Sequence, residues 1–207
     1  EAVEAYTKAL TIKPDYAEAY YNMGNAFKEQ GKLEEAIEAY NKALVLKPYA
    51  EAYLNMGNAL KEQGKLEEAI EAYNKSLSIK PDYGDAYFNM GNALREQGKL
   101  EEAIEAYNKA LAIKPDNAEA YNNIGITLAD QGKLEEAIEA YNKTLALKPD
   151  YVDAIENSQS LAVQLLPSIS KYGYEFYNRD TKINPKIVPS PKYQIQNAIE
   201  AFLKADF

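Results

Sequence analysis

The 207-residue chain contains no cysteine, no histidine and no tryptophan. Without cysteine there can be no disulfide, thiolate ligand or thiol nucleophile. Without histidine the side chain that ordinarily titrates near neutral pH is missing, and with it the commonest metal ligand. Most hydrolase triads and zinc sites are thereby excluded. No stretch approaches the roughly 18 unbroken apolar residues of a membrane helix. Basic charge is scarce as well: 23 Lys and Arg stand against 32 Asp and Glu, a formal net charge of −9. The imbalance is uneven. Residues 167–207 hold 6 basic and 4 acidic side chains, so the first 166 hold 17 and 28. An acidic body argues against DNA or RNA as a partner, because phosphate binding needs a basic surface. It tolerates neutral or basic peptides. The composition fits a cytoplasmic protein that is not an enzyme, carries no cofactor and touches neither nucleic acid nor membrane.

What the chain has in abundance is repetition. The thirteen residues QGKLEEAIEAYNK begin at Gln30, Gln63, Gln97 and Gln131. Gly24, Gly57, Gly91 and Gly125 recur at spacings of 33, 34 and 34, and Pro14, Pro48, Pro81, Pro115 and Pro149 keep the same ruler. Within one unit, Ala19, Tyr20, Met23, Ala26 and Phe27 fall on one helical stripe, and Leu33, Ala36, Ile37, Tyr40 and Leu44 on a second. Gly31 stands between them as a helix stop, and Pro48 ends the second helix. Two such helices cannot bury their apolar faces alone, so neighbouring copies must stack. Gly24 and Ala36 are small where two helices have to approach closely. The carboxylates Glu34, Glu35 and Glu38 read as a solvated outer face with i,i+4 support from Lys42, not as paired catalytic acids.

A 34-residue helix–turn–helix unit with Tyr20, Met23, Gly24, Phe27, Ala36, Tyr40, Ala43 and Pro48 in these places resembles the tetratricopeptide repeat. Tyr replaces the family's first Trp in every copy. The resemblance implies an all-α, right-handed superhelical solenoid. The register gives a lone second helix at 1–14, full repeats at 17–49, 50–83, 84–117 and 118–151, and a capping helix at 152–166, which together make one solenoid over residues 1–166. The chain begins at Glu1 inside a helical pattern and reads as an excised piece of something longer. One junction differs: KPYA at Pro48 lacks the Asp found at Asp15, Asp82, Asp116 and Asp150. Asp at that place is expected to cap the following helix, with Glu18 and Glu119 as the acidic halves of capping boxes. Inserting the missing Asp is therefore expected to raise the melting temperature.

In the family the first helix of each unit lines a concave groove. Carried onto this sequence, four positions per unit face a ligand. The first holds Tyr21, Leu54, Phe88 and then Asn122. The second holds Asn22, Asn55, Asn89 and Asn123 without a break. The third holds Asn25, Asn58 and Asn92, then Ile126. The fourth holds Lys28, Lys61 and Arg95, then Ala129. An inward ladder of Asn offers amide donors and acceptors that match both groups of a peptide backbone. The repeats of O-linked N-acetylglucosamine transferase carry a similar ladder. The other rows read as an aromatic shelf and a basic strip, so repeats one to three are expected to bind best. The family's clamp for chaperone tails needs cations where this chain has Tyr21, Asp85 and Asn89, beside Asn25 and Asn55. Acidic heat-shock tails are therefore not expected ligands.

The resulting expectation is a protein–protein interaction scaffold that holds an extended peptide or protein segment in its groove. Alternatives are the substrate-recruiting arm of a larger glycosyl- or sulfo-transferase, and a self-assembly module that stacks end to end through residues 1–14. Two glycosylation sequons, at Asn74 and Asn142, fall inside expected helices and carry no weight. After Pro167 the sequence turns Pro-rich and polar. Ser190 and Pro191 then open a last amphipathic helix with Ile195, Ala198, Ile199, Phe202 and Leu203 on one stripe, expected to pack on the solenoid's C-terminal end.

Overall fold

Each copy of the thirteen-residue motif begins by ending a helix. Gly31, Gly64, Gly98 and Gly132 adopt φ of 72°, 75°, 76° and 76°, a left-handed backbone that only glycine enters at little cost. The Gly31 N–H then donates to the Lys28 carbonyl at 2.9 Å and the Lys32 N–H to the Phe27 carbonyl at 2.9 Å. This pair of bonds closes the helix end as a Schellman motif. Gly64, Gly98 and Gly132 repeat the pattern with Lys65, Lys99 and Lys133. The next helix starts two residues after the glycine, with Glu34 and Glu35 in its first turn, where carboxylates favour the positive end of the helix dipole.

The computed structural model describes residues 1–162 and 164. Among these, all regular structure is helical. The helices are α1 (Ala2–Ile12), α2 (Ala17–Glu29), α3 (Leu33–Leu46), α4 (Ala50–Glu62), α5 (Leu66–Ile79), α6 (Gly84–Glu96), α7 (Leu100–Ile113), α8 (Ala118–Asp130) and α9 (Leu134–Leu147). A tenth helical run follows over 152–162. The expected C-terminal helix and its apolar stripe lie outside the described residues. No described helix is long and apolar enough to cross a membrane.

Every helix packs on the next in chain order. In addition α2, α4, α6 and α8 touch one another in series, whereas the second helices α3, α5, α7 and α9 do not approach one another within 8 Å between Cα atoms. The first helices are thus crowded and the second helices spread. The stack curves toward the first helices, which line its inner side, and the all-α right-handed solenoid is the fold that forms. The tightest joint lies within each unit. A Cβ placed on Gly24 would sit 2.6 Å from Cε1 of Tyr40, and Gly57, Gly91 and Gly125 stand in the same relation to Tyr73, Tyr107 and Tyr141. These four tyrosines are fully buried, with Ala36, Ala69, Ala103 and Ala137 packed beside them at zero exposure.

The expected Asp caps do not form. Asp15 lies in the turn before α2, and the residue at the N-cap is Tyr16, without a side-chain bond. Tyr83 likewise caps α6 without one. At α8 the cap is Asn117, whose side-chain oxygen accepts from the Ala120 N–H at 3.1 Å. The register is off by one: Asp sits one residue too early to reach the free N–H groups of the first turn. At the short junction the turn is lost. Lys47 and Tyr49 take extended backbones, with φ and ψ of −153° and 111°, and of −152° and 151°, and α4 starts directly. Tyr49 then packs edge-on to Tyr21, with ring centroids 5.3 Å apart.

Candidate functional site

The inner face is built on a repeating hydrogen-bond rung that joins three helices. Asn25 Oδ1 accepts from the buried Tyr40 hydroxyl at 2.8 Å and from Asn55 Nδ2 of the next repeat at 3.0 Å. Asn58 Oδ1 accepts from Tyr73 at 2.9 Å and from Asn89 Nδ2 at 2.9 Å. Asn92 Oδ1 accepts from Tyr107 at 2.8 Å and from Asn123 Nδ2 at 2.9 Å. Asn55 Nδ2 also donates to the Tyr21 hydroxyl at 3.0 Å. The rung's own tyrosine lies fifteen residues after its asparagine because Gly24, immediately before Asn25, lets the ring in. Two neutral hydrogen bonds per rung contribute about 1–3 kcal/mol together.

Burial keeps the phenols neutral. It raises the pKa of Tyr40 and Tyr73 well above the usual value, and pushes Tyr107 and Tyr141 up to about 12. Each hydroxyl therefore holds its proton, and those of Tyr40, Tyr73 and Tyr107 spend it on the asparagine. That choice fixes each amide's orientation. Among the described residues, Asn25, Asn58 and Asn92 make no bond through Nδ2, and Asn55, Asn89 and Asn123 make none through Oδ1. All six residues are partly exposed. The ladder is thus an inter-repeat clasp whose unused donors and acceptors alternate along the inner face. Asn22 has no preceding first helix to reach and takes no part in a rung.

Two of the expected rows change character. Leu54, expected to face a ligand, is only 7% exposed and belongs to the core. Tyr21 and Phe88 are half-buried and lean on the rung tyrosines, with centroids 6.0 Å from Tyr40 and 5.9 Å from Tyr107. The first position is a packing position whose side chain fills the joint to the next repeat, and the aromatic shelf does not form as a continuous surface. The basic strip is also largely spent. Lys28 pairs with Glu62 at 3.3 Å and Lys61 with Glu96 at 3.4 Å, each with the following repeat. Arg95 has no such partner among the described residues, and its Nε is buried without a hydrogen bond. Sequence reasoning missed these pairs, although the recurring offsets from Lys28 to Glu62 and from Lys61 to Glu96 were there to be read. It also missed the tyrosine hydroxyls. The signal was that Tyr40, Tyr73 and Tyr107 each follow an Asn by fifteen residues, whereas Tyr141 follows Ile126.

The outer carboxylates behave as solvated groups. Glu38 and Glu71 bond Lys42 and Lys75 at 2.7 and 2.8 Å. The lysine hydrogen bond and charge hold both acids below the usual carboxylate range. A general acid needs the opposite shift. Among the described residues no group of three or more acidic side chains is gathered as a metal site would require.

Comparison with known proteins agrees with this architecture. Family models for the TPR repeat match residues 1–31, 24–64, 57–94 and 91–132, and one for the tetratricopeptide repeat matches 118–151. Among solved structures, the chain is similar to MamA at 31% identity and a TM-score of 0.69, over 72% of this chain and 88% of that one. It is similar to YrrB, a TPR protein with an unusual peptide-binding site, at 26% identity and a TM-score of 0.68, over 74% and 80%. The first TPR of Spaghetti (RPAP3), bound to the HSP90 peptide SRMEEVD, is similar at 28% identity and a TM-score of 0.54, over 56% and 92%. With its models tiling residues 1–151 unbroken and its rungs joining repeat to repeat, the chain belongs to the tetratricopeptide repeat family.

Proposed function

We propose that this protein is a non-enzymatic interaction scaffold that holds an extended peptide against the inner face of α2, α4, α6 and α8. The observation that carries the reading is the half-used ladder. Each rung presents one fixed amide donor, Nδ2 of Asn25, Asn58 or Asn92. Each also presents one fixed acceptor, Oδ1 of Asn55, Asn89 or Asn123. An extended peptide needs both kinds of partner along its backbone, and it needs little else if its side chains are to vary. Preorganised amides lower the cost of binding, because their rotamers are already fixed by the fold. That YrrB and the RPAP3 repeat are peptide binders of the same fold is consistent with it. A binding surface centred on the first three rungs follows, since Ile126 interrupts the donor row in the fourth repeat.

The test exploits the split roles of the amides. Replacing Asn25, Asn58 and Asn92 together by Asp keeps the oxygen that accepts from tyrosine and from the next repeat. It turns the outward donors into acceptors and adds three negative charges, so neutral and basic peptides are used to read the loss of the donors. The variant keeps its helicity and melting transition and loses binding to peptides on an array. Unchanged peptide binding in a folded variant would contradict the reading.

A further inference from the structure

We infer that Arg95 is the receptor for a carboxylate of the bound peptide, which makes a single acidic group the specificity element of this groove. The inference rests on the groove reading above and adds to it the chemistry of one ligand residue.

Lys28 and Lys61 are neutralised by glutamates from the following repeat, Glu62 and Glu96. The equivalent residue after Arg95 is Asp130, one carbon shorter. No carboxylate of the described residues lies within ion-pair distance of Arg95. Yet Arg95 is half-buried, and its Nε is fully out of solvent without a partner. Buried donors are nearly always satisfied, and a guanidinium with no carboxylate partner and a free Nε offers a planar fork suited to a carboxylate.

The surroundings favour an incoming group over an internal one. The Arg95 guanidinium leans on the Tyr107 hydroxyl, toward which it is a hydrogen-bond donor, and its charge also reaches Tyr141. It therefore lies between the last complete rung, at Tyr107, and the repeat where the pattern breaks, at Tyr141. On the neighbouring helix α8, Ile126 and Ala129 stand where earlier repeats carry Asn and a cation. With Asn replaced by Ile and the long cation by Ala, the last part of the groove offers one guanidinium on an apolar floor. Elsewhere the inner-face cations are matched and the body is acidic, so a peptide with many carboxylates is disfavoured. The ligand is an extended peptide with one acidic side chain, or a free C-terminus, beside an apolar residue.

The experiment uses an array of short acetylated and amidated peptides carrying a single Glu, their Gln counterparts, and the Gln set with free C-termini. Wild-type protein binds the Glu or the free-terminus set about tenfold more tightly than the amidated Gln set. The set that gains identifies whether side chain or terminus is the source. Arg95→Gln removes this preference, so that the Glu and free-terminus sets bind it no better than the amidated Gln set does. Asp130→Glu supplies the missing methylene and weakens the preference by competing from within. Equal binding of all sets by the wild type, or a preference that survives in Arg95→Gln, overturns the inference while the groove reading stands. If the Asn25, Asn58 and Asn92 to Asp variant binds every set as well as wild type does, the groove reading falls and this inference falls with it.

Discussion

Gly24 and Tyr40 occupy each other's space: the tyrosine ring lies where a glycine side chain would have begun, 2.6 Å from the ideal Cβ position. This contact seats the hydroxyl against Asn25 at 2.8 Å. The pair turns helix packing into a positioned amide, and three of the four full repeats do the same.

Gly57→Ala in the equivalent joint is therefore a steric test. Tyr73 is fully buried and cannot swing away, so the added methyl forces the helices apart at a cost of about 1–3 kcal/mol. Gly64→Ala is a control with another cause. Nothing lies within 4 Å of its Cβ, but its φ is 75°, and the backbone penalty is about 1–2 kcal/mol. Chemical denaturation resolves both. A Gly57→Ala variant as stable as wild type would mean that the joint is loose.

The rung predicts unequal tyrosines. Tyr73→Phe removes a donor that Asn58 uses and lowers stability by about 0.5–1.5 kcal/mol. Tyr141→Phe removes a hydroxyl that makes no hydrogen bond among the described residues, where the others meet an asparagine, and costs less. Equal losses in the two variants, measured by urea denaturation, would show that the hydrogen bond contributes nothing beyond the ring.

Much of this architecture was legible in the primary structure, and the reasons are specific. The Gly31 and Pro48 punctuation, the two apolar stripes and the 34-residue ruler are local or periodic signals, and stacking of identical units extends them to the whole solenoid. Rows at the first and fourth inner positions misled, because their partners lie one repeat away. Leu54 is swallowed by the core, and Lys28 and Lys61 are claimed by Glu62 and Glu96. The Asn ladder was visible as a row, but its clasping role depended on the tyrosine hydroxyls of a different helix. The cap was misplaced by one residue, which periodicity cannot settle.

Asn117 provides the corrected cap prediction. Its side chain satisfies the Ala120 N–H at 3.1 Å, so Asn117→Ala lowers stability by about 0.5–2 kcal/mol. Asp82→Ala, in a turn where no side-chain cap forms, has a smaller effect. Thermal melts of the two variants separate these outcomes, and a larger loss for Asp82→Ala would restore Asp as the cap.

Replacing Asn55, Asn89 and Asn123 by Ala is a poor test of binding, because it also opens the clasp between repeats. The most direct measurement leaves the protein intact and follows its asparagine side-chain amide signals by NMR. An array-selected peptide is titrated in. The account predicts that the Nδ2 signals of Asn25, Asn58 and Asn92 move together, while those of the outward Asn41, Asn74, Asn108 and Asn142 stay in place. Movement of the outward set with a silent inner ladder would contradict it, and would place the binding surface on the second helices.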